Sequence, residues 1–532
     1  MTTMHFSVVT MNSSLSSKQA ARISARGLLR HQHTATSENL GSASKNVRPF
    51  DDIPGPSGIY SVPYLGTAFH FKPFTSITVS TIYKLLRKFN DEYGDIMKFR
   101  AGKNWLVLLS NPLFSEQLLR DADKYPARPT IGILDAYYKR QKLSPGLSSL
   151  QGEQWANLRK PANNQMMRPA VVSSYIPALT PVADDFIAIC RNSHRIDDCL
   201  KTMINFTTES IGMLCFNRRL GCLAGTANLD FVEDLGIFFR GLAESNHNSQ
   251  AYKYFQTPFY KKFEKSADNM YKWVATAKEM HDALNKMEEL RREGKLEEYL
   301  KEPNFLYALI SHPGMTLAKT QSLILDLFVG GIDSTSNALT FLWHELATHQ
   351  ESQERLYQEI RHVIGNKNLD VEALTNMPYL KACVKESLRK NYPLSTGSIR
   401  RLKEDIVVGG YRIPKGTDVL VPLRNMSHDE KYFKNADQFI PERFLRGDKS
   451  IDDETRHTEP FVYLPFGFGP RSCIGQRFAE NEMYIITAKV KDARIKLEAV
   501  LFSVNHMEIL GLAKRGSILV NITWQRKTQL KT

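Results

Sequence analysis

Phe466-Gly467-Phe468-Gly469-Pro470-Arg471-Ser472-Cys473-Ile474-Gly475 is the stretch whose reading decides the fold. Two glycines and a proline ahead of a cysteine describe a tight, rigid loop. A helical pattern opens at about Arg477, so the cysteine lies where a helix begins. Negative charge is favoured at such a place, because a helix N-terminus stabilises it and backbone N–H groups in the turn can hydrogen-bond sulfur. The Gly467-x-Gly469 start is not a dinucleotide loop, since Ser472 stands where a third glycine is needed. A lone buried cysteine is ordinarily structural, so the surroundings have to carry any further reading.

Upstream, a helical pattern starts after Thr316, which suits an N-cap, and runs to about His349; at 1.5 Å per residue this is a rod of roughly 50 Å. Gly330-Gly331 interrupts its interior, and each glycine costs on the order of 1 kcal/mol relative to alanine. Bare backbone there admits either a flat ligand or a close helix crossing. Asp333, Ser334 and Thr335 follow at once with a proton-carrying carboxyl and two hydroxyls. From about Ser76 to Gln350 the chain is dominated by helical periodicity. Short β signals fall at Trp105–Leu109, at Ile406–Val408 followed by Gly409-Gly410 and Tyr411–Pro414, and at Ser517–Ile522. The expectation is a mainly α protein with small β-sheets, one large domain from residue 46 to 532.

Lys and Arg outnumber Asp and Glu by 70 to 56, a formal charge of +14. That excess suits acidic partners or an anionic membrane surface, and without a dense basic tract it does not argue for nucleic acid. No stretch reaches the roughly 18 apolar residues of a membrane-spanning helix. The six cysteines form no C-x-x-C pair and resemble neither a disulfide framework nor a zinc site, which makes a reducing compartment the default. Residues 1–45 read separately. No acidic residue precedes Glu38, while Lys18, Arg22, Arg26 and Arg30 recur every four positions among twelve Ser and Thr residues. This is the composition of a mitochondrial transit peptide with one cationic helical face.

The pattern F-x-x-G-x-R-x-C-x-G, complete from Phe466 to Gly475, resembles the haem-binding signature of the cytochrome P-450 family, and the resemblance extends from about Ile53 to Val490. It implies haem b with the thiolate of Cys473 as axial ligand, bedded against Phe466 and Gly467. Gly330 to Thr335 resembles the family's oxygen-activating helix, which implies that Asp333, Ser334 and Thr335 manage protons and water. Glu386-Ser387-Leu388-Arg389 resembles its E-x-x-R helix, and Pro441-Glu442-Arg443-Phe444 the segment whose arginine completes a buried charge triad. Trp155 and Arg159 resemble the pair that holds a haem propionate, with Arg400 and Arg471 as further contacts; an arginine fork pairs well with a carboxylate.

The leader and Pro378–Glu386, where Lys381 and Lys385 lie one turn apart, resemble the animal mitochondrial branch of that family. The implied donor is an acidic [2Fe-2S] ferredoxin with its NADPH-dependent reductase. The implied site is the matrix face of the inner mitochondrial membrane, with peripheral membrane contact. The implied reaction is insertion of one atom of O2 into a lipophilic, sterol- or steroid-like substrate. Two alternatives are a haem-thiolate isomerase or dehydratase and a catalytically silent haem or lipid-binding protein. Three departures stand out. Ser334 replaces the family's usual threonine, Lys390-Asn391-Tyr392-Pro393 is one residue longer than usual, and residues 490–532 do not resemble the usual end of the fold.

Overall fold

The protein is described here from a computed structural model covering residues 47–524, apart from 79–80, 122, 193–194, 197, 227–229, 246–249, 276–277, 300–303, 366, 394–395, 457–458, 493–494 and 500–519. Residues 1–45, read above as a transit peptide, lie outside the described residues.

Helices make up most of the chain, and those that build or frame the site are α1 (Ile82–Tyr93), α2 (Gly152–Met166), α3 (Ile176–Asn192), α4 (Cys199–Phe216), α5 (Leu317–Thr348), α6 (Gln350–Ile364), α7 (Pro378–Lys390) and α8 (Gln476–Asp492). α5 is the rod read from the sequence. The Thr316 side chain accepts from the Lys319 N–H, and the helix runs 32 residues to a cap at His349. Leu323, Ile324, Phe328, Ile332, Leu339, Leu342, Trp343 and Leu346 are buried around its circumference. A helix apolar on nearly all sides has to run through the middle of a core, and α5 does so in the main hydrophobic cluster with α3, α4 and α8.

The sheets are small, as the short β signals implied. β1 (Ile96–Ala101) and β2 (Asn104–Leu109) form an antiparallel hairpin, and β2 continues in parallel to a later strand, Asp418–Val421, which pairs with Ser398–Arg401. α1 covers this four-stranded sheet through Leu85, Leu86 and Phe89, packed on Met97, Phe99, Leu106, Leu108 and Leu420. Three of its strands gave no sequence signal. Asp418–Val421 is buried at every position, so it lacks the alternation that marks a half-buried strand. A separate three-stranded sheet pairs Arg195–Ile196 with Val520–Trp524, and the latter with Ile495–Ala499. Leu497 is tied to α6, where the Gln353 side chain both donates to its carbonyl (2.9 Å) and accepts from its N–H (3.0 Å).

Residues 47–53 and 405–414 form a small unit of their own. There the hairpin Ile406–Val408 with Tyr411–Ile413, expected from the sequence, pairs with Arg48, whose guanidinium lies 3.7 Å over the Tyr411 ring.

Candidate active site

The cysteine loop folds as its glycines require. Gly467 and Gly469 have φ of 72° and 75°, a region that L side chains rarely adopt. The Cys473 N–H donates to the Phe466 carbonyl (2.8 Å) and the Ser472 N–H to Gly469 (3.0 Å), closing the loop just ahead of α8. Of the six cysteines Cys473 alone is exposed; the other five are buried. Backbone N–H groups of Gly475 and Gln476, with Arg159 and Arg128, pull its thiol pKa down. The packed surroundings outweigh them, and the net shift is upward. The loop N–H groups and the cations act in the direction expected of a helix start, and a coordinated metal ion deprotonates a thiol outright.

Four arginines gather beside the loop. The Arg159 Nε donates to Asn163 Oδ1 (2.6 Å) and Nη2 to the Ser472 carbonyl (2.8 Å). Arg471 lies 4.0 Å over the Trp155 ring and donates to the carbonyls of Pro126 and Leu150 and to Gln151 Oε1. Arg400 reaches the carbonyls of Ile399 and Phe468, leaving its buried Nε without a partner. The fourth, Arg128, was not singled out in the sequence. It donates to the Arg471 carbonyl (2.6 Å), and a bridge between Ala127 and Arg401 brings it beside Arg400. Its position between Pro126 and Pro129, in a rigid extended segment, was the available signal.

Burial, together with neighbouring arginine charges, lowers Arg400 and Arg471 to about 9 and Arg159 to about 10, Cys473 alone acting in the other direction on Arg159. None of the four is ion-paired to a carboxylate among the described residues. Concentrated, desolvated positive charge of this kind calls for an anionic group. The donor set fits a flat group that carries carboxylates on its edge and offers a metal to the Cys473 sulfur.

α5 divides its glycine pair between two surroundings. A Cβ on Gly331 would lie 2.7 Å from Ile211 Cδ1, so this glycine serves the crossing with α4. Gly330 has nothing within 4 Å of a Cβ and is exposed. Ser334, one turn on, is exposed on the same side, with its hydroxyl donating to the Gly330 carbonyl at 2.7 Å. Thr335 is buried. Burial pushes the Asp333 carboxyl up to about 6, offset in part by Asn337 Nδ2 at 3.3 Å.

Glu386, Arg389 and Arg443 come together with fully buried side chains. Arg389 makes two bonds to the Glu386 carboxylate, 2.7 and 2.8 Å, and Arg443 Nε lies 3.2 Å from it. The remaining guanidinium N–H groups meet the carbonyls of Ser427, Gln438, Thr455 and Asn435. On the outer side of α7, Lys385 is exposed. Lys381, expected to be equally free, is half-buried and donates to the Thr375 carbonyl at 2.8 Å. The longer turn after Arg389 is anchored by Glu345, which accepts from Lys390 Nζ and Asn391 Nδ2, both at 2.9 Å.

Fold and site define a mainly helical protein with an exposed cysteine beside desolvated arginines, a donor set that fits an anionic, metal-bearing group. The family model described as Cytochrome P450 matches residues 56–490. "Cytochrome P450 10" of Lymnaea stagnalis is 30% identical over 474 residues, 87% of this chain and 83% of the relative. "Probable cytochrome P450 12e1, mitochondrial" of Drosophila melanogaster is 30% identical over 477 residues, 86% and 88% of the two chains. "Sterol 26-hydroxylase, mitochondrial" of Rattus norvegicus is 27% identical over 488 residues, 89% and 88%. The chain belongs to the cytochrome P450 family. It is a monooxygenase whose cofactor is haem b with an axial cysteine, and its matched relatives include mitochondrial-type members.

Proposed function

We propose that the chain is a mitochondrial monooxygenase that hydroxylates a sterol-like substrate, with Cys473 as the axial ligand and with electrons from a [2Fe-2S] ferredoxin docked at Lys385 and Lys381. The observation that carries this reading is the pairing of the one exposed cysteine with four arginines that lack carboxylate partners among the described residues. Trp155, Arg159, Arg400, Arg471 and Arg128 would hold the propionates, and Phe466 and Gly467 would shape the loop that presents Cys473. Bound haem supplies the redox chemistry that splits O2, one atom entering a substrate C–H bond and the other leaving as water, for two electrons and two protons.

The chain's own groups deliver the protons. Asp333, with a carboxyl lifted to about 6, gives up and regains a proton near neutral pH. Ser334 turns its hydroxyl from the Gly330 carbonyl to a water on the exposed face of α5, and Thr335 backs it from the buried side. A relay of this kind favours oxygen activation over an isomerase or dehydratase. Glu386, Arg389 and Arg443 tie α7 to the segment Pro441–Phe444.

Names of relatives as mitochondrial and as a sterol hydroxylase support the compartment and substrate class. Peripheral contact with the matrix face of the inner membrane is supported by Ile59, Tyr64, Leu65 and Phe74, each more than half exposed. No helix among the described residues is long and apolar enough to cross a membrane. The test is reconstitution with an adrenodoxin-type ferredoxin, its reductase and NADPH against a panel of sterols. Sterol-stimulated, ferredoxin-dependent formation of a hydroxylated product is expected. Equal turnover with a flavoprotein donor alone, or none with any sterol, contradicts the reading.

A further inference from the structure

Residues 144–151 form a strap between α5 and the arginine cluster, and α5 grips it at two points. Ser322 Oγ donates to the Ser144 carbonyl at 2.6 Å. One turn further on, Asp326 accepts from Ser148, Oδ1 from its hydroxyl at 3.1 Å and Oδ2 from its N–H at 3.3 Å, and the Leu147 N–H also favours the charged carboxylate. Gly146 sits so close to this carboxylate that a Cβ would overlap it. The Ser149 and Leu150 N–H groups close the turn on the Gly146 carbonyl. At its other end the strap offers the Leu150 carbonyl and Gln151 Oε1, both 3.0 Å from Arg471 Nη2, and Gln151 Oε1 also accepts from the Arg128 N–H. Arg471 is two residues from Cys473.

Asp326, Gly330 and Ser334 recur every four residues, so the grip is on the same side of α5 as the open glycine and the exposed hydroxyl. The carboxylate is held by N–H and O–H donors of the strap and, among the described residues, by no cation. A desolvated carboxyl without a counter-charge is a costly way to secure a loop, which points to a use beyond packing.

We propose that Asp326 is a positioning residue, a latch that holds the strap 144–151 against α5 and thereby sets both the seat of Arg471 and the approach of ligands to the face bearing Gly330 and Ser334. This rests on the reading of Cys473 and the arginines as the haem site.

The test uses the full-length haem protein with Asp326→Ala, Asp326→Asn, Ser148→Ala and Gly146→Ala. The probes are association of 4-phenylimidazole with the ferric protein, recombination of carbon monoxide with the ferrous protein after flash photolysis, and the haem midpoint potential. Asp326→Ala should speed 4-phenylimidazole association about tenfold, the factor that goes with losing hydrogen bonds to a charged acceptor, and should shift the potential. Asp326→Asn, which keeps one acceptor oxygen, and Ser148→Ala, which removes one donor from an exposed residue, should fall between. Gly146→Ala should act like Asp326→Ala by pushing the latch open, and in the Asp326→Ala background it should add little.

Wild-type rates and potential in Asp326→Asn and Ser148→Ala, or additive effects of the Asp326 and Gly146 changes, overturn the latch. So does a loss of thermal stability with unchanged rates, which is the signature of packing alone. If the parent protein binds haem without a thiolate-type ferrous carbonyl spectrum, it is the haem-site reading that fails instead.

Discussion

At the residue scale, two neighbouring glycines have separate duties, and they should respond to alanine in opposite ways. Gly331→Ala forces a methyl against Ile211, which is itself buried, and overpacking of this kind costs about 1–3 kcal/mol. Gly330→Ala meets nothing within 4 Å and gains helix propensity, about 1 kcal/mol. Thermal unfolding should therefore move down for the first and up for the second. Gly330→Ala should also weaken carbon monoxide and azole binding, because its methyl enters the exposed face; a drop in stability with unchanged ligand binding would put this glycine in the crossing instead. Ser334 carries the other residue-scale prediction. Its hydroxyl bonds the Gly330 carbonyl and has to turn outward to hold a water. Ser334→Ala should leave NADPH and oxygen consumption running while product falls and peroxide rises. Unchanged coupling would assign the water to Asp333.

At the scale of elements, α7 has a buried side and a wet one, and its two lysines are not equivalent. Lys381 spends one donor on the Thr375 carbonyl, and burial followed by the charge of Lys385 lowers its pKa, whereas Lys385 is exposed. Lys385→Gln should thus slow electron transfer from ferredoxin more than Lys381→Gln, with haem content intact. The deficit should shrink with salt, as the Debye length falls from about 10 Å at 0.1 M to about 3 Å at 1 M. Equal effects of the two changes, or none at low salt, would reduce this face to a solvated one. α5 and the cysteine loop were legible in the sequence because their signals are local: a Thr316 cap with a 3.6-residue period, and glycine, proline and cysteine within ten residues. The triad was legible because each half is a short motif. The strap was not, since Ser148 and Asp326 are 178 residues apart and neither belongs to a recognisable pattern. Ser398–Arg401 escaped as a strand for another reason: four residues, two of them arginines, give no apolar alternation, although Arg400 itself was expected at the site and is buried there.

At the scale of the whole molecule, stability and function meet in buried charge. Asp333 has a folded pKa of about 6 against an unfolded value near 4. Its carboxyl is therefore no burden below pH about 4, and the stability associated with the protonated form is lost as pH rises through about 6. Asp333→Asn does not titrate, so its stability relative to the parent should rise between about pH 4 and pH 6 and level off above, read as the difference in urea midpoint; a constant difference across that range would mean the carboxyl is not desolvated. The central claim is that Cys473 and the four arginines hold haem through a thiolate. It is tested most directly by the carbon monoxide difference spectrum of the reduced full-length protein, parent beside Cys473→Ser. The account predicts the red-shifted Soret band of a thiolate-ligated ferrous carbonyl in the parent, and its loss in Cys473→Ser with helical circular dichroism retained, since an alcohol is a poor ligand at neutral pH. That band persisting in Cys473→Ser, or missing from a parent that has bound haem, would contradict it.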